Sequence, residues 1–230
     1  MILPIILARG GSKSVPRKNI RDLTGKPLLS YVLTEALKVF PKVYLSTEDE
    51  EIAEVARIFG ATVLARPQNL ALDDTSSVDT VKYHLKELQV SEGHINAILL
   101  LNACCPFTKA EDIQGVIDLY EKEGDSVVSL VEDFSAHPSK TCYLIGNKIY
   151  SLQTGYTFKT GERQKLAKVC KRNTAMYLAE ASVIKRGSFF GQDCRGYVMP
   201  IERSYDINSE YDMWLANLIM KNERSSKENN

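Results

Sequence analysis

The chain has no acidic residue before Asp22 and no C-x-x-C pair, and it lacks both common glycine-rich nucleotide motifs. Without G-x-x-x-x-G-K-[ST] or G-x-G-x-x-G, neither a P-loop nor a dinucleotide fingerprint is available. Net charge is also missing: 29 Lys plus Arg balance 29 Asp plus Glu. A binder that works through a bulk field on nucleic acid or an anionic membrane is therefore not expected. The five cysteines, at 104, 105, 142, 170 and 194, are odd in number, and no histidine accompanies the 104–105 pair at ligand spacing. That argues against a secreted disulfide framework and a zinc site, and for reduced thiols in a cytoplasmic protein. The first apolar run stops at Arg9 with no basic segment before it, too short for a signal core or a membrane span.

What is present is a chain of 230 residues, 44% hydrophobic, enough for one substantial core. Short runs rich in branched residues alternate with helix-period segments, which predicts an α/β fold with a parallel-type sheet and crossover helices. Strands are expected at 2–8, 42–46, 62–65, 97–101, 126–131 and 195–200, and the continuously apolar 97–101 reads as central. Helices are expected from Pro27, from a Thr47/Glu50 capping box to Phe59, over 77–88, and over 110–122 behind a Thr108/Glu111 cap. A last helix, capped by Ser209 and Asp212, would turn Tyr211, Trp214, Leu215 and Leu218 inward. Residues 132–158 read as a hairpin arm leaving the sheet.

The first strand runs into Arg9-Gly10-Gly11-Ser12-Lys13-Ser14-Val15-Pro16-Arg17-Lys18-Asn19. Glycines without a Cβ let backbone N–H groups approach phosphate oxygens. A helix terminus offers only about half a charge, so a polyphosphate also needs side-chain cations. Arg9, Lys13, Arg17 and Lys18 supply them, with Ser12 and Asn19 as neutral donors. The loop follows a buried strand, where open α/β sheets place ligands.

Ala8 to Lys13, then Pro16 to Asn19, then Leu23-Thr24-Gly25-Lys26-Pro27-Leu28 resemble the opening of the CMP-sugar synthetases that activate sialic and related nonulosonic acids. The resemblance runs along almost the whole chain. It implies a Rossmann-like nucleotidyltransferase fold that takes CTP and an acidic nine-carbon sugar, uses Mg2+, and dimerises through a protruding arm. It also implies one domain: a nucleotide-binding half over 1–131, a sugar-binding and dimerisation lobe over 132–185, and a returning strand and helix over 186–223. His137-Pro138 and Lys140 resemble the entry to that lobe, with His137 read from the residues as a turn residue.

By this resemblance Arg9, Lys13 and the Gly10-Gly11-Ser12 backbone hold the triphosphate, with Lys18 close by and Asn19 in the same loop. Arg66 and Asn102 lie near the nucleoside, and Arg163, Gln164 and Asn173 near the sugar. Asp206 and, more weakly, Asn208 would ligate Mg2+. Several positions depart from the family. Asn102 stands for a glutamine, 103–108 keeps only Pro106, Thr174 stands where glycine is common, and Asn208 replaces an aspartate. The departures leave two alternatives: transfer to legionaminic, pseudaminic or 3-deoxy-octulosonic acid, or a nucleotide-binding homologue without catalysis.

Overall fold

The computed structural model describes residues 1–152 and 167–228. Its sheet of seven strands has the order β11-β7-β10-β6-β1-β4-β5. The strands are β1 (Ile2–Leu7), β4 (Tyr44–Thr47), β5 (Thr62–Ala65), β6 (Ala97–Asn102), β7 (Ser126–Glu132), β10 (Cys170–Glu180) and β11 (Cys194–Val198). Apart from β10, antiparallel to both its neighbours, all pairings in this sheet are parallel. Leu7 is level with Ser46 on one side and Asn102 on the other, so β4, β1 and β6 end together. The chain goes from β1 outward through β4 and β5, then returns to β6 on the opposite side. That reversal opens a crevice at the carboxyl ends.

Both sheet faces are covered, which explains why the strands read as unbroken apolar runs. Ile6, Leu45, Leu99 and Leu101 pack under α1 (Leu28–Val39), α2 (Glu50–Ile58), α4 (Ala110–Lys122) and α6 (Glu210–Glu228). Leu3, Ile5, Ile98 and Leu100 pack under α3 (Ser77–Ser91) and α5 (Ala181–Lys185). Truncating any of these aliphatics to Ala should cost about 2–5 kcal/mol. A small hairpin, β2 (Asp22–Leu23) and β3 (Lys26–Pro27), turns through Thr24 and Gly25, both at positive φ. Pro27 precedes α1 as its cap.

Three local expectations are corrected. The cap of α2 is Asp49, which accepts the Ile52 N–H at 3.0 Å, while Thr47 ends β4 and accepts the Asp49 N–H at 3.2 Å. At α4 the Asp112 carboxylate takes the Lys109 N–H at 3.0 Å and Arg203 clamps it from the other side at 2.9 Å. Thr108 is fully buried, and its Oγ1 has no hydrogen-bond partner among the described residues. On α6 the Ser209/Asp212 cap is present, but the helix buries Met213, Ala216 and Met220, leaving Tyr211 67% and Trp214 57% exposed. The Asn217 carboxamide fixes that rotation by accepting the Thr24 N–H at 3.1 Å.

Cys170–Glu180, grouped by sequence with the lobe, forms β10 inside the main sheet. The arm contains the two-stranded sheet β8 (Cys142–Ile145) and β9 (Lys148–Ser151), whose Tyr143, Leu144, Ile145 and Ile149 are exposed. His137 is a turn residue: its Nδ1 accepts the Ser139 N–H at 3.1 Å.

Candidate active site

A cavity of about 840 Å³ occupies the crevice above β1 and β6. Arg9, Ser12, Lys13, Lys18 and Asn19 face it from the loop after β1. Asn19 shapes that loop by donating its side-chain N–H to the Arg9 carbonyl at 2.9 Å, and the Ser12 N–H closes a tight turn onto the Gly10 carbonyl at 3.0 Å. Arg17 adopts a left-handed φ of 56° and pairs with Asp49 and Glu51. Of the four loop cations, Arg17 therefore serves the fold.

Arg9 and Lys13 converge on one carboxylate. Arg9 Nη1 lies 2.8 Å from Asp73 Oδ1, and the Lys13 ammonium pairs with Asp73 Oδ2. The two cations, Lys13 first, hold the Asp73 carboxyl below the usual range. Asp73 belongs to the mostly exposed loop between β5 and α3, whose internal backbone bonds include Thr75 N–H to Leu72 O at 3.3 Å. A carboxylate is an acceptor-only oxyanion, as a phosphate is. Asp73 thus sits where an anion belongs.

The opposite wall comes from the segment before α6. Ile207 is buried, and its N–H donates to the Cys104 carbonyl at 2.9 Å. Its own carbonyl accepts Lys18 Nζ at 3.0 Å. Asp206 Oδ2 accepts from Asn208 Nδ2 at 2.6 Å and from Thr174 Oγ1 at 3.3 Å, while Asp206 Oδ1 has no hydrogen bond among the described residues. Lys18 and Asp206 are thus joined by a docked segment that starts almost 190 residues after the loop.

At the end of β6 the Asn102 amide is engaged at both ends, accepting from Cys104 Sγ at 3.3 Å and donating to the Thr174 carbonyl at 3.4 Å. The contact between the neighbouring thiols holds Cys104 below the ordinary range and pushes Cys105 well above it. Cys105 is a core thiol, 1% exposed. Among the described residues neither thiol is hydrogen-bonded to a histidine or carboxylate that could serve as its base.

A bulge in β10 builds the far end. Register against β7 shifts between Arg172 and Tyr177, and Thr174 takes a φ of 62°. The bulge turns Asn173 inward, where its Oδ1 accepts from Ser129 at 2.6 Å and its Nδ2 donates to Ser204 at 2.9 Å. Arg172 and Thr174 face the cavity instead. Arg172 stands 5.2 Å from the Phe190 ring centre, and Tyr177 packs 5.5 Å from Phe189.

The cytidylyltransferase family model matches residues 3–188. The chain belongs to that family. It is 32% identical over 231 residues to a CMP-N,N'-diacetyllegionaminic acid synthase of Legionella pneumophila, covering 96% of each chain. It is 30% identical over 224 residues to a pseudaminic acid cytidylyltransferase of Campylobacter jejuni, covering 95% of this chain and 96% of the other. The N-acylneuraminate cytidylyltransferase A of Danio rerio is 30% identical over 94% of this chain, which spans half of that longer protein. Among solved structures, a CMP:2-keto-3-deoxy-manno-octonic acid synthetase complexed with CTP superposes with a TM-score of 0.72 at 16% identity, covering 96% of this chain and 99% of that one. The chain is a nucleotidyltransferase of the CMP-sugar synthetase type.

For a cytidylyltransferase the arrangement brings together Arg9, Ser12, Lys13, Lys18, Asn19, Arg66, Asn102 and Asn208 around one cavity, while Asn173 braces the bulge behind it. Arg163 and Gln164 lie outside the described residues. The Gly10 N–H donates to Glu48 Oε1 at 2.7 Å, whereas that of Gly11 has no protein acceptor among the described residues. Arg66 is 8% exposed and donates through Nε to Ser46 Oγ at 3.0 Å and through Nη2 to Ser46 O at 2.7 Å. Burial lowers its pKa.

Sequence reading missed Glu48, the pairing of Asp73 with the loop cations and the Phe189–Phe190 wall. The Asp-Asp step after Arg66 and the Phe-Phe step after Gly187 were the available signals. No group of three or more His, Cys, Asp or Glu suited to a metal occurs among the described residues. Mg2+ is commonly held by one or two carboxylates with substrate phosphates completing the shell. Asp206, with a free Oδ1, fits the single-carboxylate form of that arrangement. Asn208, whose amide N–H points at Asp206, adds no oxygen as placed.

Proposed function

We propose that the protein transfers CMP from CTP to the anomeric hydroxyl of a nonulosonic acid, giving the CMP-sugar and pyrophosphate. The supporting observation is that one cavity carries Arg9 and Lys13 at one end and Arg172 beside an aromatic wall at the other. The first end suits a triphosphate and the second an acid sugar, whose carboxylate an Arg fork matches. The relatives named above act on legionaminic, pseudaminic and neuraminic acids at similar identity, so the reading is set at the level of the nonulosonic class.

In this reading the anomeric oxygen attacks the α-phosphorus, the bond from that phosphorus to the bridging oxygen breaks, and pyrophosphate leaves with the electron pair. The hydroxyl proton passes to solvent. Asp206 would hold Mg2+, which supplies charge neutralisation at the phosphates. Arg9, Lys13 and the Gly11 amide bind the leaving phosphates, and Lys18, fixed by the Ile207 carbonyl, adds a further cation beside the opposite wall. The work is positioning and charge stabilisation. Arg66 and Asn102 border the nucleoside end. Arg163 and Gln164, by the resemblance, serve the sugar.

Two further properties belong to the same proposal. The exposed apolar side chains of β8 and β9 suit a homodimer contact through the arm, and the protein would work in the cytoplasm. Sedimentation of the wild type against a Leu144→Glu, Ile149→Glu variant tests the dimer, and a monomeric wild type would refute it. The test of function is pyrophosphate release from CTP and Mg2+ with a panel of nonulosonic acids. Release with one sugar and CTP, but not with ATP, GTP or UTP, supports the reading; silence across the panel, with CTP still bound, favours the non-catalytic alternative.

A further inference from the structure

Behind the phosphate loop runs a chain of polar groups, buried except for Glu87 at its exposed end, that the transfer reaction does not itself require. Glu87 Oε2 lies 3.3 Å from His84 Nδ1, and His84 Nε2 lies 2.8 Å from Ser46 Oγ. Arg66 donates to Ser46 twice, at 3.0 Å and 2.7 Å, and its Nη1 stands 4.0 Å from Glu48 Oε2. Glu48 Oε1 accepts the Gly10 N–H at 2.7 Å. His84 and Ser46 are fully buried, and the Glu48 side chain is 9% exposed. The Glu87 carboxylate can only accept, so the neutral His84 ring donates from Nδ1 and takes the Ser46 proton at Nε2, which leaves a Ser46 Oγ lone pair for Arg66 Nε.

We infer that Glu48 is a positioning residue: its Oε1 fixes the Gly10 amide and so aims Arg9 and the Gly11 amide at the triphosphate, while its Oε2, which has no hydrogen-bond partner among the described residues, faces the Arg66 charge at 4.0 Å. This deepens the proposed function and rests on it.

Two observations make the role specific. Gly10 admits no side chain without displacing Asp49, since a Cβ there would stand 2.5 Å from Asp49 Oδ2. The loop can therefore be steered only through its backbone. Arg66 also feels the repulsion of Arg9, and the Glu48 charge opposes that effect. A buried arginine without such a counter-charge is strongly unfavourable. The same carboxylate thus neutralises the wall and registers the loop. A loop displaced by about 1 Å can cost on the order of a hundredfold in rate.

The test compares Glu48→Ala and Glu48→Gln with wild type. In Glu48→Ala, kcat/KM for CTP should fall at least about tenfold while KM for the sugar is unchanged. Glu48→Gln, which keeps an oxygen for the Gly10 N–H but removes the counter-charge to Arg66, should recover part of that loss and lower stability. Independently of turnover, the Gly10 amide proton in the nucleotide-free protein should resonate downfield in wild type and Glu48→Gln and move upfield in Glu48→Ala. Wild-type kinetics in Glu48→Ala would overturn the inference, as would equal damage in both variants or an unmoved Gly10 resonance. If Glu48→Ala does not fold, the Glu48→Gln kinetics and the Gly10 shift decide. Absence of CTP turnover in wild type with the expected Gly10 shift would reject the proposed function and leave the loop contact standing.

Discussion

Arg9 Nη1 and Asp73 Oδ1 lie 2.8 Å apart, and the same carboxylate holds Lys13. A triphosphate entering the cavity must displace Asp73 from both cations. Exposed, solvent-screened pairs of this kind are weak, so Asp73→Asn should tighten CTP binding modestly, by less than about tenfold. Titration calorimetry at two salt concentrations checks it. Weaker binding would show that Asp73 assists the ligand.

Arg9→Ala should lower turnover by about two orders of magnitude, the usual consequence of losing one preorganised charge-stabilising donor. Steady-state pyrophosphate release measures it. An unchanged rate would remove Arg9 from the site.

Thr174 is a β-branched residue at a φ of 62°, where glycine is at ease. Thr174→Gly relieves that strain and gives up a hydrogen bond to Asp206 at 3.3 Å. Relief exceeds the loss and the added chain entropy, for a net gain of about 0.5–1 kcal/mol. Urea denaturation reads it, and a lower midpoint would contradict the strain account.

His84 is pushed below the ordinary histidine range, first by burial and then by the nearby Arg66 against the opposing pull of Glu87. Its folded pKa is the depressed one, so the unfolded chain binds the extra proton first. The stability that neutral His84 contributes is complete above the unfolded value of about 6.5 and is lost as pH falls below it. Urea titrations between pH 5 and pH 7.5 should show this fall in wild type and a shallower one in His84→Gln. Equal slopes would exclude His84 as the source.

Asn208→Asp restores a second carboxylate beside Asp206 and should lower the Mg2+ concentration needed for half-maximal activity. An unchanged requirement would place the metal on Asp206 and the phosphates alone.

Much of this was legible in the sequence for physical reasons. Residues 2–8 and 97–101 read as strands because they are buried on both faces and carry unbroken apolar side chains. The loop cations were readable because no acid neighbours them locally, and their pairing with Asp73 was hidden because it spans about sixty residues of sequence. β10 escaped notice because its first residues are polar and exposed and its bulge breaks the two-residue period. The inward face of α6 was misread because the helix has two apolar stripes, and periodicity does not say which one packs. The resemblance marked Thr174 as a glycine position, and its positive φ gives the reason.

The most direct measurement of the central claim is pyrophosphate release from CTP and Mg2+ with a panel of nonulosonic acids, run beside ATP, GTP and UTP. The account predicts release with CTP and at least one such acid, and none with the other nucleotides. Release without regard to the base, or none from any acid sugar while CTP is bound, would contradict it.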